Sequence, residues 1–548
     1  MTNDTTIDPR TRRYVLPTRI LWTAGTLTNP DVLLVNNNGQ ALIQATDFAR
    51  MKHDGNAPGI VLDFGRELHG ALQIVTAASK DNKAYRVRLR FGESVSEAMN
   101  ETNNDHAIKD MIVPIASMGS QEYGLTGFRF VRIDLIDEGA EITVMAVRAV
   151  SVMRDIPLVG RFNCSDARLN QIWQTGLDTV HLCMQDYIWD GIKRDRLVWI
   201  GDMHPEVSVI TATFGADPIV PASLDWVRDH TPLPAWMNGI GAYSMWWILI
   251  QADWYLHSGD VAYLEEQRDY LTALLKQFVG CVADDGSMAV PGRQLLDWPT
   301  SPNPAAVQAG LHGLLAMALG AGAALCETLG EFDTAALSRD AARRLALGAP
   351  EPLVASKQAS ALLALTGLRD AKMVNDTVLS QNPLKGLSTF YGYYVLQARA
   401  AAGDYVGALD VIRNYWGAML DLGATSFWED FDLSWAEGAG RIDEMPSPDK
   451  IDVHMTYGDY CYKSLRHSLC HGWAAGPTAW LSEHVLGVKP LSPGCTRVRV
   501  AAHLGDLAWA EGAYPTPQGP VAVRHTRQPD GTVASEIDAP PRVEIVRA

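Results

Sequence analysis

A change in hydrophobic period divides this chain of 548 residues and limits the folds that it can adopt. From about residue 157 to about residue 484, apolar residues recur at helical spacing, and short Gly, Asp or Pro links separate the segments. Before and after that stretch, short segments rich in β-branched and aromatic residues alternate with Gly, Asn and Asp clusters. The chain therefore predicts an all-α unit of about 325 residues between two β units.

The helical unit begins with a clear periodic run. Ser165 is a plausible N-cap, and Leu169, Ile172, Trp173 and Leu177 follow at helical spacing. Further helices are predicted over Met245 to His257, Val261 to Val279, Asp333 to Leu347, Lys357 to Leu365, Thr389 to Ala402 and Tyr405 to Met419.

One apolar stretch in this unit, 305 to 325, is the strongest candidate for a membrane span. It is rich in Ala and Gly and contains Gln308 and His312, so it predicts a buried pair of helices instead. We therefore expect no membrane partner.

The β units are predicted from short alternating segments. In the first unit they are Ile60 to Phe64, Ala71 to Val75, Tyr85 to Phe91 and Phe128 to Leu135. Apolar and Arg positions alternate in the third of these, which is typical of a half-buried antiparallel strand. In the last unit they are Val498 to Val500, Val521 to Val523 and Val543 to Val546. The N-terminal set predicts a β-sandwich.

Charge and cysteine content exclude several classes of function. Lys and Arg number 46 against 63 Asp and Glu, so the net charge of −17 argues against a nucleic-acid partner or an anionic membrane surface. The seven cysteines form no C-x-x-C pair, which argues against a disulfide framework or a zinc site. No export signal is visible at the N-terminus. We expect a cytoplasmic protein.

The segment Asp190 to Asp202 holds the densest group of charged residues, with Trp189 and Trp199 at its two ends. A solvated, salt-bridged loop is the ordinary interpretation of such a segment. The flanking tryptophans indicate partial burial, however, and buried carboxylates are costly unless they serve a function. Asp190, Arg194, Asp195 and Asp202 are therefore candidate site residues.

A second segment, Leu422 to Asp432, follows a predicted helix and places Glu429 between Trp428 and Phe431. Aromatic faces beside a carboxylate suit a sugar, because the rings stack on its apolar face while the acid binds its hydroxyls. Aromatic packing alone is the alternative.

Two further segments are weaker candidates. His471 stands between apolar neighbours and is equally typical of a core histidine satisfied by a backbone partner. Asp297 and Trp298 precede a proline, where the pair could simply end a turn. His204 lies two residues before Glu206 but lacks a second histidine at metal-ligand spacing, so we expect a structural role for it.

Together these segments resemble motifs of the α-L-rhamnosidases of glycoside hydrolase family 78, within the six-hairpin glycosidases. The family's D-x-P-x-R-E-R-x-G-W-x-G-D is similar to 190–202, with its spacing kept. Its G-A-T-x-x-W-E-x-W/F-D is matched by 423–432, its S-L-N-H is approximated by 468–471, and its G-D-W by 296–298.

The resemblance implies a fold of three parts. These are an N-terminal β-sandwich over residues 1–156, an (α/α)6 toroid over 157–484 and a C-terminal β-sandwich over 485–548. The family motifs are altered at several positions, among them Ile192, Asp195, Val198 and Cys470, which stand in place of Pro, Glu, Gly and Asn.

The resemblance also implies an activity, the inverting hydrolysis of terminal α-L-rhamnose from small glycosides. Asp195 would be the general acid and Glu429 the general base. Residues implied to bind the sugar are Asp190, Arg194, Asp202, Trp298 and His471. The reaction needs no cofactor or metal, and we leave a homodimer open.

Two alternatives remain at this point. The chain could act on another α-linked sugar or as a phosphorylase, for which Lys193, Arg194 and Arg196 would have to contact phosphate. It could instead bind sugar without catalysis, since the acid position is altered. The two carboxylates at the matched positions argue against the second alternative.

Overall fold

The computed structural model describes residues 7–36, 39–43, 46–101, 106–352, 355–458 and 462–547. Within them, β elements precede and follow a long run of helices, in the predicted order. Cys461 lies outside the described residues, so the prediction made from all seven cysteines is examined only for the other six, which are free thiols.

The N-terminal strands form a nine-stranded antiparallel sheet of order β3-β4-β9-β5-β8-β6-β7, with β1 paired to β9 and β2 to β5. The strands are β1 (Arg10–Val15), β2 (Arg19–Ala24), β3 (Thr26–Thr28), β4 (Ala49–Lys52), β5 (Gly59–Thr76), β6 (Tyr85–Gly92), β7 (Asp110–Ile115), β8 (Ser120–Leu135) and β9 (Glu141–Arg154).

Two predicted strands, 60–64 and 71–75, are a single long strand, β5. Register shifts between Asp63 and Leu68 and between Gly70 and Leu72 let the chain bend without leaving the sheet. A bulge adds residues to one strand only, so Gly65, with φ of 81°, marks a bend where the pattern predicted a break.

The predicted antiparallel pairing of β6 is confirmed, since it pairs with β7 and β8. Its C-terminal half is buried on both faces, contrary to the half-buried expectation. Arg90 is buried because its guanidinium pairs with Asp110 at 2.9 Å and donates to the Glu97 carbonyl at 2.6 Å. Pairing of this kind lets a charged side chain occupy an interior position.

The helices occupy the middle of the chain, apart from one short helix after β6. They are α1 (Val95–Met99), α2 (Ala167–Cys183), α3 (Met203–Thr213), α4 (Ile219–Asp229), α5 (Gly241–Ser258), α6 (Val261–Val279), α7 (Pro304–Thr328), α8 (Phe332–Leu347), α9 (Lys357–Leu365), α10 (Ala371–Val374), α11 (Gly392–Ala401), α12 (Tyr405–Val411), α13 (Gly417–Asp421), α14 (Val453–Thr456) and α15 (Gly476–Trp480). Single π-helical turns, Asn375–Leu379, Ile412–Trp416 and Leu481–Val485, follow α10, α12 and α15.

The N-cap of α2 is Asp166 and not Ser165. The Asp166 carboxylate accepts the backbone N–H groups of Arg168 and Leu169, whereas the Ser165 hydroxyl accepts the N–H of Ala508. Ser165 thus belongs to the contact with the C-terminal strands. The pattern also missed α3 and α4.

The apolar stretch 305–325 forms one helix, α7, and not a pair. Its glycines serve close packing: a Cβ at Gly310 would lie 2.2 Å from the Leu296 side chain, and one at Gly322 would lie 2.4 Å from Leu275. Among the described helices, α7 is long and apolar enough to cross a membrane, but 72% of its most apolar window is buried inside the protein.

The C-terminal strands form two small sheets. One has the order β10-β13-β14-β15, and the other is β11-β12-β16, in which β12 and β16 are parallel. The strands are β10 (Arg161–Cys164), β11 (Val488–Pro490), β12 (Arg497–Val500), β13 (Trp509–Tyr514), β14 (Val521–Arg527), β15 (Val533–Asp538) and β16 (Glu544–Arg547). Because β10 precedes α2, the C-terminal sheet contains chain from both ends of the helical unit.

The hydrophobic cores are separate at one end and continuous at the other. The N-terminal sheet has its own apolar cluster, whereas one large cluster runs from the helices into the C-terminal strands and includes Leu177, Trp246, Val498 and Val523. The N-terminal sheet meets the helical unit through buried polar contacts such as Arg129 with Asp443 at 3.2 Å. That polar boundary lies beside the candidate site.

Candidate active site

Backbone hydrogen bonds join three of the four predicted segments, although they lie far apart in the chain. Gly191 forms an antiparallel bridge with His471. The His471 N–H in turn donates to the Phe427 carbonyl at 2.9 Å, and the Glu429 N–H donates to the Ser468 carbonyl at 3.0 Å. These bonds fix the relative positions of the three segments before any side chain is considered.

The seven predicted site residues all line one cavity of about 130 Å³. They are Asp190, Arg194, Asp195, Asp202, Trp298, Glu429 and His471. The same cavity is lined by residues that the sequence analysis did not assign to a site: Trp199, Ile240, Tyr243, Arg293, Leu295, Tyr462, Arg466 and Trp473. Asp202 directly precedes α3, and Ile240 and Tyr243 lie at the start of α5, so the site lies at the N-terminal ends of these two helices.

The His471 imidazole faces three carboxylates. Its Nε2 lies 3.4 Å from Glu429 Oε1 and 3.8 Å from an oxygen of both Asp190 and Asp202. Its Nδ1 has no hydrogen-bond partner among the described residues, so His471 is not a core histidine satisfied by the backbone. Burial, and then the charge of Arg194, lowers the pKa of His471 well below its usual range. Both factors favour the neutral form of the imidazole.

Burial raises the pKa of Asp190 and of Asp202 well above the usual range, and the two carboxylates also repel each other at Asp190. Asp190 Oδ1 accepts the Leu197 N–H at 2.9 Å, and Asp202 Oδ1 accepts the Tyr243 hydroxyl at 3.1 Å. Protonated carboxyls can both donate and accept hydrogen bonds, which suits the binding of a polyhydroxyl ligand.

Arg194 stands between the two proposed catalytic carboxylates. Its Nη2 donates to both oxygens of Glu429, at 2.5 Å to Oε2, and its Nη1 lies 3.1 Å from Asp195 Oδ2. Since the two guanidinium nitrogens are about 2.3 Å apart, the nearest oxygens of the two acids are separated by at most about 8 Å. Burial raises the pKa of Glu429, and the charge of Arg194 opposes that rise.

Asp195 differs from the other acids in its backbone and in its exposure. It and Arg196 are consecutive left-handed residues with φ of 52° and 54°. Such conformations are unfavourable for residues other than glycine and cluster at functional sites. The Asp195 side chain is 25% exposed, so its carboxyl reaches both the cavity and solvent.

Aromatic rings form a wall of the cavity. The ring centroids of Trp298 and Tyr462 are 6.0 Å apart in an edge-to-face arrangement, and the Arg293 guanidinium lies 5.0 Å over Trp298. Trp473 lies 4.3 Å from the His471 ring. Trp473 stands two residues after His471, so its ring could have been named from the sequence, whereas Tyr462 and Arg293 have no signal of their own.

Asp297 and His204 have structural roles. Asp297 accepts the Thr300 N–H at 3.0 Å and the Ser388 hydroxyl at 2.8 Å. These bonds agree with the alternative that Asp297 stabilises the end of a turn. His204 bridges the Tyr394 hydroxyl at 2.9 Å and Asp253 at 3.0 Å, as the sequence analysis expected.

A buried cluster beside the site, Glu93, Glu97 and His454, has ligand atoms within 4.8 Å of one another. The Lys193 ammonium lies 3.0 Å from Glu97 Oε1 and 3.6 Å from Glu93 Oε2. Both His454 nitrogens have partners, the Ser94 hydroxyl and the His467 carbonyl. The cluster already contains its cation, so these residues do not fit a metal site.

Two family models match the chain. Residues 157–345 match the bacterial α-L-rhamnosidase six-hairpin glycosidase domain, and residues 487–546 match the bacterial α-L-rhamnosidase C-terminal domain. These two parts of the chain are therefore similar to two domains of bacterial α-L-rhamnosidases. The resemblance drawn from the motifs is confirmed, and the chain contains a six-hairpin glycosidase domain together with substantial β-sheet.

A curated protein to which this chain is similar is distant from it in sequence. An α-L-rhamnosidase from Alteromonas sp. (strain LOR) is 23% identical, over 93% of this chain and 57% of that protein. The chain thus spans little more than half the length of that curated relative.

Solved structures share the fold. The family 78 rhamnosidase of Bacillus sp. GL1 is 24% identical with a TM-score of 0.76, over 95% of this chain and 55% of that one. A Klebsiella oxytoca rhamnosidase with rhamnose bound is 19% identical with a TM-score of 0.68, over 87% and 96%. Streptomyces avermitilis α-L-rhamnosidase complexed with L-rhamnose is 17% identical with a TM-score of 0.71, over 98% and 50%.

Proposed function

We propose that this protein hydrolyses terminal α-L-rhamnosides with inversion of configuration. The observation that carries the proposal is the single cavity in which Asp195 and Glu429 stand on either side of Arg194, beside three groups that can bind sugar hydroxyls. The matches to two α-L-rhamnosidase domain models support the choice of sugar.

Asp195 is the proposed general acid. Its carboxyl donates a proton to the glycosidic oxygen as the bond from that oxygen to the anomeric carbon breaks. Partial exposure supports this role, because the carboxylate that remains must take up a proton from solvent before the next cycle. The left-handed backbone at Asp195 changes the direction of its side chain. This supports a role as general acid for an aspartate, which is one methylene shorter than the glutamate of the family motif.

Glu429 is the proposed general base. It accepts a proton from a water whose oxygen attacks the anomeric carbon on the face opposite the leaving group. The base must be ionised, and the Arg194 guanidinium favours the ionised form against the cost of burial.

The stereochemical proposal follows from the resemblance of the motifs to family 78. Inverting glycosidases hold their carboxyls about 6.5–9.5 Å apart, whereas retaining ones hold them about 5–5.5 Å apart. The contacts of Arg194 with both acids limit their separation to about 8 Å or less, a limit that includes part of the inverting range, and the anomer released first decides between the two outcomes.

The other lining residues are proposed to bind the sugar. Asp190, Asp202 and His471 would bind its hydroxyls, Trp298 would face its 6-deoxy side, and Arg194 would contact the sugar beside Glu429. The pKa values of both aspartates, raised by burial, support this because neutral carboxyls are cheaper to bury against a neutral ligand.

We also propose a domain architecture and a cellular location for the protein. The helical unit, 157–484, forms an (α/α)6 toroid, and residues 1–156 and 485–548 form β-sandwiches around it.

The free thiols of the described cysteines support a cytoplasmic enzyme that acts on small, imported rhamnosides. Cell fractionation tests the location, and light scattering tests the homodimer.

One assay tests the activity. Nitrophenyl glycosides of several sugars are offered with and without phosphate, and NMR follows the released sugar at early times. We expect the α-L-rhamnoside to be cleaved without phosphate and the β-anomer of L-rhamnose to appear first. Cleavage only with phosphate indicates a phosphorylase, and an α-anomer first contradicts inversion.

A further inference from the structure

Glu429 has a second hydrogen-bond donor besides Arg194. The Ser468 N–H donates to its Oε2 at 3.2 Å, while the Glu429 N–H donates to the Ser468 carbonyl. The backbone segment 465–469 thus orients the proposed base. What holds that segment decides how well the base is placed.

The opposite side of this segment is held by the N-terminal sheet. Glu93 follows β6 directly, and its carboxylate is only 1% exposed. Its Oε2 accepts the Leu469 N–H at 2.6 Å, and its Oε1 lies 3.4 Å from the Ser468 hydroxyl. Glu93 therefore fixes Ser468, which contacts Glu429, and Leu469, from which the chain continues toward His471.

Lys193 holds the carbonyl groups of the same segment. Its Nζ donates to the Leu465 carbonyl at 2.5 Å and to the His467 carbonyl at 3.0 Å. Its charge is balanced by Glu97 at 3.0 Å, and Glu97 also accepts the Glu93 N–H at 3.0 Å. Glu93, Glu97 and Lys193 form one connected clamp, which binds both the N–H and the carbonyl groups of the segment.

We infer that Glu93, from the N-terminal sheet, is a positioning residue for catalysis: with Lys193 and Glu97 it locks segment 465–469 so that the Ser468 N–H points at Glu429. The inference deepens the proposed function and rests on it for the role of Glu429. It makes the N-terminal sheet part of the active-site architecture, although none of its residues lines the cavity.

Burial raises the pKa of Glu93 to about 7, against the charge of Lys193. A glutamine at this position keeps the length of the side chain and an oxygen that can accept the Leu469 N–H. An aspartate keeps the charge but is one methylene too short to reach it. The two substitutions therefore separate the hydrogen bond from the charge.

The experiment compares Glu93→Ala, Glu93→Asp and Glu93→Gln with Asp134→Ala as a control. Asp134 is another buried carboxylate of the same sheet, and its ion-pair partner at 2.8 Å, Arg132, belongs to the sheet itself. The measurements are kcat and KM from pH 4 to 9, on whichever nitrophenyl glycoside the wild type cleaves best, and hydrogen–deuterium exchange of the peptide covering 465–471.

We expect Glu93→Ala and Glu93→Asp to lower kcat about 10- to 100-fold with KM within about 3-fold, since a misplaced catalytic group costs rate more than binding. The acid limb of the profile should move to higher pH, because a lost N–H donor raises the pKa of Glu429. Exchange of 465–471 should rise. Glu93→Gln should recover most of kcat, and Asp134→Ala should leave kcat and exchange near wild type.

The inference is overturned if Glu93→Ala behaves like Asp134→Ala, or if Glu93→Asp keeps more activity than Glu93→Gln. If the alanine variant fails to fold, the order of the aspartate and glutamine variants decides. If the wild type cleaves a different glycoside, the substrate proposal fails and the positioning test stands. If it cleaves none, the exchange comparison alone decides.

Discussion

The two proposed catalytic acids lie in contrasting surroundings. Glu429 is buried, and it is bound by the Arg194 guanidinium and the Ser468 N–H. Asp195 is partly exposed and stands on a left-handed turn, with an ion pair to Nη1 of the same arginine. The base is thus held by several bonds, whereas the acid is held by few.

This difference fits the two tasks. A base that activates water must be oriented and must be ionised, so it gains from fixed donors. The general acid gives up its proton in each cycle and must take up another from solvent. Exposure of its side chain to solvent therefore favours its task. The variants below test whether that division is real.

Glu429→Gln should have the largest effect. It removes the base, so we expect kcat to fall about 10³- to 10⁴-fold. The loss should be equal for all leaving groups, because water must be activated in each case. Steady-state rates across a series of substituted phenyl rhamnosides measure this, and a loss that varies with the leaving group would contradict the assignment.

Asp195→Asn should come next, and its effect should depend on the substrate. For poor leaving groups we expect a loss of about 10²- to 10³-fold, shrinking to about 10-fold or less for nitrophenolates, which need little protonation. The same substrate series is the measurement. Parallel losses in the Asp195 and Glu429 variants would remove the distinction between the two sides of the site.

Arg194→Gln should have a smaller effect on rate and a clear effect on the pH profile. Because Arg194 holds down the pKa of Glu429, its loss should raise that pKa and move the acid limb of kcat to higher pH. We expect kcat at pH 7 to fall about 10- to 100-fold.

Arg194→Lys is the matched control, since it keeps the charge and loses the two-pronged bond. Its acid limb should lie between those of wild type and Arg194→Gln. A limb that stays in place in both variants would show that the arginine does not set the ionisation of the base.

Glu206→Gln should have the smallest effect on activity and a measurable effect on stability. Glu206 is buried below the site, neither carboxyl oxygen has a hydrogen-bond partner among the described residues, and burial raises its pKa well above the usual range. An acid with a raised folded-state pKa costs nothing below pH 4.5 and destabilises the fold as pH rises toward that pKa.

The variant should therefore gain stability relative to wild type between pH 5 and pH 8, by on the order of 1 kcal/mol or more. Urea unfolding at several pH values measures this, with kcat/KM expected to stay within about 3-fold. A stability difference independent of pH would mean that Glu206 is ionised in the folded protein and shares the charge of the site.

Local patterns predicted much of the helical unit. Lys357–Leu365 matches α9 residue for residue, and Val261–Val279 matches α6. The prediction failed where glycines were taken as breaks between two elements. In α7 the glycines allow close packing within one helix, and in β5 they mark bulges within one strand. Period alone cannot separate a bend from a break.

Four motif segments were enough to name every one of the seven predicted residues that line the cavity. These residues could be named from the sequence because the spacing and the residue types of a motif can be read without the structure. It left the alternatives for His471 and Asp297 open, since each depends on what surrounds the side chain. The structure surrounds His471 with carboxylates and gives Asp297 the hydrogen bonds of a turn.

The sequence by itself determined the order of β and α elements and predicted which acids to propose as catalytic, because periodicity and motifs are local properties. Only the tertiary structure decided which segments touch. The contact of Glu93 with Leu469 joins residues 376 positions apart, and neither residue carries a signal for the other. Burial, and with it the pKa of each carboxyl, arises from such contacts, since a group is desolvated by neighbours that the chain brings in from elsewhere.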